Sequence, residues 1–391
     1  MRDVLGPGTT LGYCTNVHAG ATWEQTRINL EQYAARVQQI ATPQSPLPIG
    51  LWLSAQTAQE LLKHDRVGEL MQTLDANGLR AFTMNGFPHD DFHQPIVKHA
   101  VYRPHWGQRE RLEYTCNLAA ILAELLEEGE EGSISTLPLG WPSDMMRPAN
   151  LRQCGVHLHE LSAALQTIED EHGCLIHIDI EPEPGCQLQD SLGLVAYLGQ
   201  LFNGKRGHCV QRYIRVCHDV CHAAVMFENQ DEMFDRYRAA GVNIGKVQIS
   251  NAIRADLRNL SARERRDALA QLRQFSEDRY LHQTMVRDGD SLRFYDDLPK
   301  AFAEYGLTDR AGDEWRVHFH VPVYLESFGL LKSTRGHIIE CMKLLRGSEV
   351  RHWEVETYAW NVLPDELKVP DLAEGIAQEL KWVQEQARAL I

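Results

Sequence analysis

The sequence predicts an α/β protein whose strands close into a TIM (β/α)8 barrel, and two observations lead to this fold class. Short apolar strands alternate regularly with helical segments, which is typical of parallel sheets with right-handed crossovers. Five of the predicted strands also carry a polar face: in Leu175–Glu181, positions 177, 179 and 181 are His, Asp and Glu, whereas 176, 178 and 180 are Ile. A barrel explains both features, because helices cover the apolar face and the polar face lines a central site.

Nine segments qualify as strands, one more than such a barrel holds, so one of them is an addition that the pattern does not identify. They are Leu11–His18, Pro48–Ser54, Leu79–Asn85, Ser133–Leu139, Leu175–Glu181, Tyr213–Asp219, Lys246–Ser250, Arg316–Val321 and His352–Tyr358. Helices are predicted over 22–40, Gln108–Glu128, Leu151–Glu171, Leu188–Phe202, Asp231–Ala240, Ser261–Asp278 and Ser333–Leu345. Thr22 and Gln25 have the spacing of a capping box at the start of the first helix.

Two long segments interrupt this alternation. Phe87–Trp106 is rich in His, Asp and Pro, and residues 279–307 are predicted to insert a hairpin with strands Tyr280–Met285 and Ser291–Tyr295. Long loops at the carboxyl ends of barrel strands build functional sites, so both segments are candidate lids. Residues 371–391 predict a C-terminal packing helix. The whole chain, 1–391, is interpreted as a single elaborated barrel domain.

Composition limits the classes of partner. The formal net charge of −15 disfavours nonspecific binding to nucleic acid or to an anionic membrane. Nine cysteines without paired spacing indicate reduced thiols. The first residues lack an apolar signal core, and no run of the sequence approaches the length of a membrane span. We therefore expect a cytoplasmic protein with neither a nucleic-acid partner nor membrane insertion.

Acidic side chains end three of the predicted strands. Glu181, Asp219 and Glu356 each fall at a carboxyl end on the polar face, and His222 follows just beyond Asp219. Carboxylates that converge in a barrel mouth repel one another unless a cation joins them. Mixed oxygen and nitrogen ligands suit Mn²⁺, Zn²⁺, Mg²⁺ or Fe²⁺, so the sequence predicts a divalent metal site. Further candidates for the metal shell or for substrate contacts are Gln248, His282 and His320.

Simpler interpretations of the same histidines and acids stay open. Asp219 also fits a helix N-cap, and His222 then becomes a first-turn residue satisfied by backbone. His318 is interpreted as hydrogen-bonded across a polar barrel interior.

Two other acidic residues are given structural roles. Glu183 lies between two prolines and is predicted to be an exposed turn residue rather than a ligand. Glu354 lies deeper along the last strand, so we expect an internal ion pair with Arg215 or Arg316.

Polar and aromatic residues at other strand ends and in the loops are candidate substrate contacts. They are Asn16, His18, Asn85, Arg103, Trp106, Trp141 and His282. The polar members suit hydroxyl or phosphate groups, whereas the two tryptophans fit either a pocket wall or the core.

The carboxylate pattern resembles that of the xylose-isomerase-like barrels, which include sugar isomerases, ketose epimerases and the type IV apurinic-site endonucleases. Glu181 in Ile180–Gly185, Asp219 with His222 in Cys217–His222, and Glu356 in Glu354–Thr357 match three stations of that pattern. The seventh strand departs from it, because Gln248 stands where these proteins usually have His. The resemblance implies a metal site in which His282 or His320 substitutes. We favour His320 as the ligand and His282 as a substrate or lid contact.

Over nearly its full length the chain is also similar to the EboE family, the metabolite-traffic proteins of the bacterial ebo cluster. The matching segments are Leu11–His18, Ile180–Cys186, Cys217–His222, Tyr280–Gln283, His318–Pro322 and Glu354–Tyr358 with Leu363 and Pro364. The resemblance implies processing or traffic of a secondary-metabolite precursor, with other ebo-cluster proteins as partners, and it leaves the reaction open.

Three functions compete. The leading one is a metal-dependent isomerase or epimerase for a sugar-like or cyclitol-like hydroxy-ketone, in which the cation acidifies a C–H bond and Glu181 and Glu356 exchange the proton. The expected partner is then a small polyol or sugar. A phosphoesterase of the endonuclease branch would require further ligands from His18, His89 and His93. The third is a non-catalytic metabolite-binding barrel.

Overall fold

The computed structural model describes residues 1–203, 207–306 and 311–390. Numbered along the chain, the barrel strands are β1 (Thr10–Cys14), β2 (Leu47–Leu51), β3 (Leu79–Asn85), β4 (Glu131–Thr136), β5 (Leu175–Ile180), β6 (Ile214–Asp219), β7 (Ile244–Ile249) and β14 (His352–Val355). These eight strands pair in parallel and close on themselves in the order β1-β14-β7-β6-β5-β4-β3-β2. The predicted TIM barrel is confirmed.

Between β7 and β14 the chain inserts a second, antiparallel sheet, which we call the inserted sheet. Its strands are β8 (Ile253–Asp256), β9 (Thr284–Asp288), β10 (Ser291–Tyr295), β11 (Glu314–Val317), β12 (Ser327–Phe328) and β13 (Leu331–Ser333), in the order β10-β9-β11-β8-β13-β12. The predicted strand Arg316–Val321 is therefore the one outside the barrel. Its strict alternation of polar and apolar residues fits either sheet, since strands of both sheets can place an apolar face against the core and a polar face toward buried polar partners.

The hairpin of the inserted sheet is shorter at its start than the sequence predicts, because β9 begins at Thr284 rather than Tyr280. Residue 307 of the predicted insertion and residue 391 of the predicted C-terminal segment lie outside the described residues.

Helices cover the outside of the barrel. They are α1 (Trp23–Asn29), α2 (Ala35–Ala41), α3 (Ala55–Lys63), α4 (Val67–Ala76), α5 (Arg109–Leu125), α6 (Pro142–Met145), α7 (Pro148–His172), α8 (Ser191–Phe202), α9 (Gly207–Tyr213), α10 (Val220–Val225), α11 (Gln230–Ala239), α12 (Ala262–Arg273), α13 (Leu298–Tyr305), α14 (Arg335–Leu344) and α15 (Leu372–Ala389). A π-helical turn, Leu30–Ala34, joins α1 to α2, and short 3-10 helices span Thr15–Val17, Lys98–Tyr102, Tyr358–Val362 and Asp365–Leu367. Within the described residues, no helix combines the length and the apolar character needed to cross a bilayer.

Local sequence signals explain where these helices start. Thr22 and Gln25 form the predicted capping box at α1, in which each side chain bonds to the backbone of the other. Ser54 caps α3 by accepting a hydrogen bond from the Thr57 amide. Helices α3 and α4, which connect β2 to β3, are not among the predicted helices.

Charged side chains fill the barrel interior, and two glycines make room for them. A Cβ atom at Gly50 would lie 1.2 Å from Glu354 Oε1, and one at Gly245 would lie 2.2 Å from Asp179 Oδ1. Both contacts are impossible, so β2 and β7 require glycine where a carboxylate from another strand approaches.

The central ion pair of the interior joins Lys246 on β7 to Glu354 on β14. Their Nζ and Oε2 atoms are 2.5 Å apart, and both side chains are fully buried. The prediction that Glu354 pairs with Arg215 or Arg316 is wrong. Arg215 instead lies near the amino-terminal end of β6 and pairs with Glu131, and Arg316 belongs to the inserted sheet, where it pairs with Glu314.

The C-terminal helix fastens the inserted sheet to the barrel through one buried carboxylate. Glu379 of α15 accepts hydrogen bonds from the Val323 amide at 3.0 Å, the Thr357 hydroxyl at 2.7 Å and the Trp360 indole at 3.3 Å. Val323 lies in the connection between β11 and β12 of the inserted sheet, whereas Thr357 and Trp360 follow β14. Glu379 therefore joins a connection of the inserted sheet to the segment that follows the last barrel strand.

We predict that Lys246→Met lowers the free energy of unfolding by ~3–5 kcal/mol, because it leaves the Glu354 carboxylate buried without its counter-charge. The double variant Lys246→Met/Glu354→Gln should recover much of this loss. Urea denaturation monitored by circular dichroism measures both. A single variant as stable as the parent protein, or a double variant no more stable than the single one, contradicts the assignment.

We also predict a pH-dependent role for Glu379. Burial raises the pKa of its carboxyl from an ordinary 4.5 to about 7, so the folded protein keeps a proton that the unfolded chain has lost. The stability that this proton provides is complete at low pH and disappears as the pH rises to about 7. In Glu379→Gln, the fall in stability between about pH 5 and about pH 7.5 should be smaller than in the parent protein. Denaturation curves at both pH values provide the measurement, and an equal fall in the two proteins contradicts the prediction.

Candidate metal and substrate site

A cavity with an empty volume of about 550 Å³ opens at the carboxyl ends of the barrel strands. One side, which we call the floor, is polar and consists of Asn16, Asn85, Glu181, Glu183, His222, Gln283, His318, His320 and Glu356. The mainly apolar part of the lining, which we call the wall, includes Phe87, Phe92, Val97, Val101, Tyr280 and Tyr358, and it meets the floor where the Tyr358 and His320 ring centroids lie 4.6 Å apart. The floor comes from strand ends and from the segments that enter and leave β9 and β11, and the wall comes mainly from the two segments predicted to be lids.

Three carboxylates meet at the floor. Glu181, Asp219 and Glu356 each offer an oxygen atom, and these atoms lie within 4.8 Å of one another. All three side chains are buried, and burial is the main reason why their pKa values are raised. The negative charges of Glu356 and Asp219 raise the pKa of Glu181 further. A cation would offset both the burial and the repulsion.

Asp219 serves two purposes with its two oxygens. Oδ1 accepts hydrogen bonds from the His222 amide and the Ser250 hydroxyl, both at 2.8 Å, and so caps α10. Oδ2 is buried and has no hydrogen-bond partner in the part of the chain that the structure describes. The capping interpretation and the ligand interpretation are therefore compatible.

Unpaired polar atoms concentrate around these carboxylates. Within residues 1–203, 207–306 and 311–390, Glu181 Oε2, Asp219 Oδ2 and His320 Nε2 are buried without a hydrogen-bond partner. Leaving such atoms unpaired is costly, and native structures rarely do so without an ion or ordered water to satisfy them. Asp219, His222 and His320 also place ligand atoms within 4.8 Å of one another. The residues present thus fit a divalent cation with carboxylate and imidazole ligands.

Backbone carbonyls orient the two imidazoles of this group. His222 Nδ1 lies 2.9 Å from the Pro182 carbonyl oxygen, and His320 Nδ1 lies 2.7 Å from that of Glu356. A carbonyl only accepts, so each Nδ1 carries the hydrogen and each Nε2 presents a lone pair. Burial lowers the pKa of His222 to about 3 and that of His320 to about 4, which keeps both rings neutral. Metal-binding histidines are held in the same way.

The segment after β11 brings one of the two histidines considered as a substitute for a seventh-strand ligand into the cavity. His320 follows β11 and lines the cavity, whereas the His282 ring turns to Glu277, 3.0 Å away, and stacks on Phe319. Gln248 is fully buried inside the barrel and pairs in register with Asp219 and Glu354. Neither amide atom of Gln248 has a hydrogen-bond partner among the described residues.

The prediction that Glu183 is an exposed turn residue is wrong. The loop after β5 turns inward, so that Glu183 is 4% exposed and Oε1 accepts hydrogen bonds from Tyr102 and Gln283, both at 2.8 Å. Burial raises the pKa of Glu183 to about 7, and the hydrogen bonds to its carboxylate only partly oppose this shift.

His318 is likewise not a residue of the barrel interior, because β11 lies outside the barrel. Its Nδ1 lies 2.8 Å from Gln283 Oε1, and its Nε2 lies 3.2 Å from His222 Nε2 in the cavity.

Two of the predicted substrate contacts reach the cavity and bind a site carboxylate. The side-chain amides of Asn16 and Asn85 donate to the same oxygen, Glu356 Oε1, at 2.7 and 2.8 Å. Two donors on one oxygen fix the orientation of Glu356 and leave its other oxygen for a ligand.

The remaining predicted contacts lie off the cavity. His18 bonds to the Tyr13 hydroxyl at 3.1 Å, and exposed Arg103 pairs with Asp144 at 2.7 Å. Trp106 is fully buried and donates to Thr136 at 3.2 Å, while Trp141 packs behind Tyr102 with ring centroids 5.0 Å apart. Neither these four residues nor His282 belong to the described residues that line the cavity. Each of these side chains contacts another part of the protein instead. A position at a strand end does not by itself predict such a contact.

Sequence reasoning missed Tyr102, Gln283 and Tyr358 as floor and wall residues. Tyr102 and Gln283 nevertheless belong to segments that the sequence identifies as candidate lids, and Tyr358 follows Glu356 by two positions. These residues line the cavity because segments distant in sequence come together there. A local sequence pattern does not predict such a contact.

No protein-family model matches the chain, and no curated protein matches it. Solved structures do. A xylose isomerase-like TIM barrel protein from Mycobacterium smegmatis, in complex with magnesium, is 11% identical with a TM-score of 0.54, and the alignment covers 100% of this chain and 99% of that one. A D-tagatose 3-epimerase-like protein is 13% identical with a TM-score of 0.50, covering 97% and 99%. The chain thus has the xylose-isomerase-like TIM-barrel fold.

We predict that Asp219→Asn and His320→Ala weaken Mn²⁺ or Zn²⁺ binding by more than the roughly 10–100-fold that loss of an outer-shell partner costs. His282→Ala is the matched histidine control and should bind metal like the parent protein, because its ring faces Glu277. Calorimetric titration and elemental analysis of the purified proteins measure affinity and stoichiometry. Equal weakening in His282→Ala and His320→Ala would sink this ligand assignment.

Proposed function

We propose that the chain is a divalent-metal-dependent isomerase or epimerase acting on a hydroxy-ketone of the sugar or cyclitol type. The observation that carries the proposal is that Asp219 shares one possible ligand group with Glu181 and Glu356 and another with His222 and His320. Of these residues, Glu181, Asp219 and His320 keep buried ligand atoms without a hydrogen-bond partner among the described residues. The residues of both groups would hold the cation. When bound, the cation supplies Lewis acidity that polarises a carbonyl and its neighbouring hydroxyl and acidifies the intervening C–H.

Glu181 and Glu356 suit the proton transfers of such a reaction. They stand on β5 and β14, which are separated by β6 and β7, so they approach a bound substrate from different directions. Asn16 and Asn85 hold Glu356 through Oε1, and the free oxygen can remove a proton that the other carboxylate returns. Burial excludes water, which strengthens each electrostatic contact with the substrate.

The relatives of known structure support the class of this proposal. The Mycobacterium smegmatis protein binds magnesium, and the second neighbour is named for its likeness to an epimerase. The similarity to EboE proteins suggests that the substrate is a secondary-metabolite precursor handled in the cytoplasm together with other ebo-cluster proteins.

The phosphoesterase alternative finds less support. It requires ligands from His18, His89 and His93, yet the first bonds to Tyr13, the second to Asp90 and the third to the Asn16 carbonyl oxygen. None of the three belongs to a metal-ligand group found in the described residues. The net charge of −15 also disfavours a nucleic-acid substrate.

We predict that Glu356→Gln reduces turnover by ~10²–10⁴-fold, the typical contribution of a general base, while metal affinity changes far less. The test incubates metal-loaded protein with a panel of ketoses and inosose-type cyclitols in D₂O, and follows deuterium uptake at the carbon next to the carbonyl by NMR.

Three outcomes separate the alternatives. Loss of exchange with retained metal supports a catalytic base. Parallel loss of both would reduce Glu356 to a ligand. Tight binding of a panel member to the parent protein without any exchange would replace the isomerase with a non-catalytic binding barrel.

A further inference from the structure

The wall of the cavity is apolar and presents few groups that could form hydrogen bonds with the hydroxyls of a polyol. Phe92, Tyr280 and Tyr358 form its centre, with ring centroids 5.0 to 5.3 Å apart in every pair. Phe87, Val97 and Val101 extend it on the side of the Phe87–Trp106 segment. Five of these six side chains are at most 8% exposed, so the wall is a packed apolar surface rather than a loose flap.

The polar atoms near this wall are already engaged by protein. The Tyr280 hydroxyl lies 3.4 Å from His93 Nδ1, and the Tyr358 hydroxyl lies 3.5 Å from His318 Nε2. Lys98 at the rim donates to Asp297 at 2.7 Å and to the Glu277 carbonyl at 3.3 Å. The two tyrosine hydroxyls and the lysine ammonium therefore already have protein partners.

The floor shows the opposite condition. Of the cavity-lining residues that the structure describes, Asn16, Glu181 and His320 have buried polar atoms without a hydrogen-bond partner. Among the described lining residues, the buried polar atoms that lack a hydrogen-bond partner therefore all belong to the floor. A hydroxyl group placed against the wall would lose its hydrogen bonds to water without replacement, whereas an apolar group there would gain by leaving water.

We infer that the substrate has two parts: a hydroxy-carbonyl head that binds at the floor, and an apolar or aromatic tail that packs against the wall. The assignment of the head rests on the proposed function, and the assignment of the tail rests on the wall alone.

A matched pair of probes tests the tail. Hexanohydroxamate and gluconohydroxamate share a metal-chelating head and a six-carbon chain, but the second carries hydroxyls where the first carries hydrogens. Calorimetric titration of Mn²⁺-loaded protein should show tighter binding of hexanohydroxamate by at least tenfold. From acetohydroxamate to hexanohydroxamate, affinity should rise by up to about fourfold for each methylene that becomes fully buried. Equal or tighter binding of gluconohydroxamate would overturn the inference.

Two valine variants test whether the preference for hexanohydroxamate arises at the wall. Val97→Thr conserves the shape of the side chain but adds a hydroxyl to the wall, so it should reduce the preference for hexanohydroxamate about fivefold or more and leave acetohydroxamate binding unchanged. Val156→Thr makes the same change at a position that is 47% exposed on α7 and should change neither affinity. If the preference survives in Val97→Thr, the tail binds elsewhere and the inference is wrong.

A metal-free measurement separates the two proposals. If neither hydroxamate binds, the head assignment and the proposed function fail together. In that case 1-hexanol and D-glucitol are titrated into Asp219→Asn protein freed of metal. Binding of 1-hexanol that Val97→Thr weakens supports the apolar tail site on its own, and absence of such binding overturns it.

Discussion

A buried positive charge makes the rest of this barrel possible. Lys246 lies 2.5 Å from Glu354, and its charge partly opposes the rise that burial causes in the pKa values of Asp179, Glu181 and Glu356. The carboxylates of Asp179, Glu181, Glu183, Asp219, Glu354 and Glu356 are buried in the interior or at its mouth, so the ammonium offsets part of their mutual repulsion. The ion pair also has a steric consequence, because Glu354 occupies the space that Gly50 leaves free. Glu356 follows Glu354 by two positions on the same face of β14. The core of the fold and the position of the site carboxylate are therefore fixed by the same contact.

The candidate metal ligands come from segments that end strands of two sheets. The barrel strand ends contribute Glu181, Asp219 and Glu356, whereas the segment after β11 of the inserted sheet contributes His320 and its neighbour His318. In the proposed site, this division would place a histidine beside the carboxylates although the seventh strand carries Gln248. It also makes the site depend on how the inserted sheet sits on the barrel. The Val321 amide donates to the Asn251 carbonyl oxygen at 3.2 Å, and Glu379 of α15 holds both Val323 and Thr357. The C-terminal helix thus stabilises the geometry of the site without touching the cavity.

Much of this arrangement follows from sequence period alone. Alternation of period two located the barrel strands to within a few residues, and parallel strands must bring Glu181, Asp219 and Glu356 to one end. The same period could not place Arg316–Val321, because alternating polar and apolar residues look alike in a parallel barrel and in an antiparallel sheet. Burial of Glu183 was also beyond local reasoning. Two flanking prolines favour a turn, but Tyr102 and Gln283, distant in sequence, decide that the turn faces inward. His18, Arg103 and Trp106 illustrate the converse, since a strand-end position did not reveal that each has its own protein partner.

The two lid segments form most of the apolar part of the cavity lining, and the barrel strand ends form much of its polar part. The Val97 and Lys98 amides both donate to the Arg279 carbonyl oxygen, at 2.8 and 3.0 Å, so the Phe87–Trp106 segment is joined to the inserted sheet above the floor. Side chains from this junction form the apolar wall, and the strand ends below it hold the carboxylates. Chemistry on the floor is constrained by the charge balance of the barrel, where a change at one carboxylate alters the pKa of the others. The wall carries no such coupling. The inferred tail site and the candidate metal ligands are therefore separate, so we expect substitutions in the wall to change which tail fits without changing the candidate ligands of the floor.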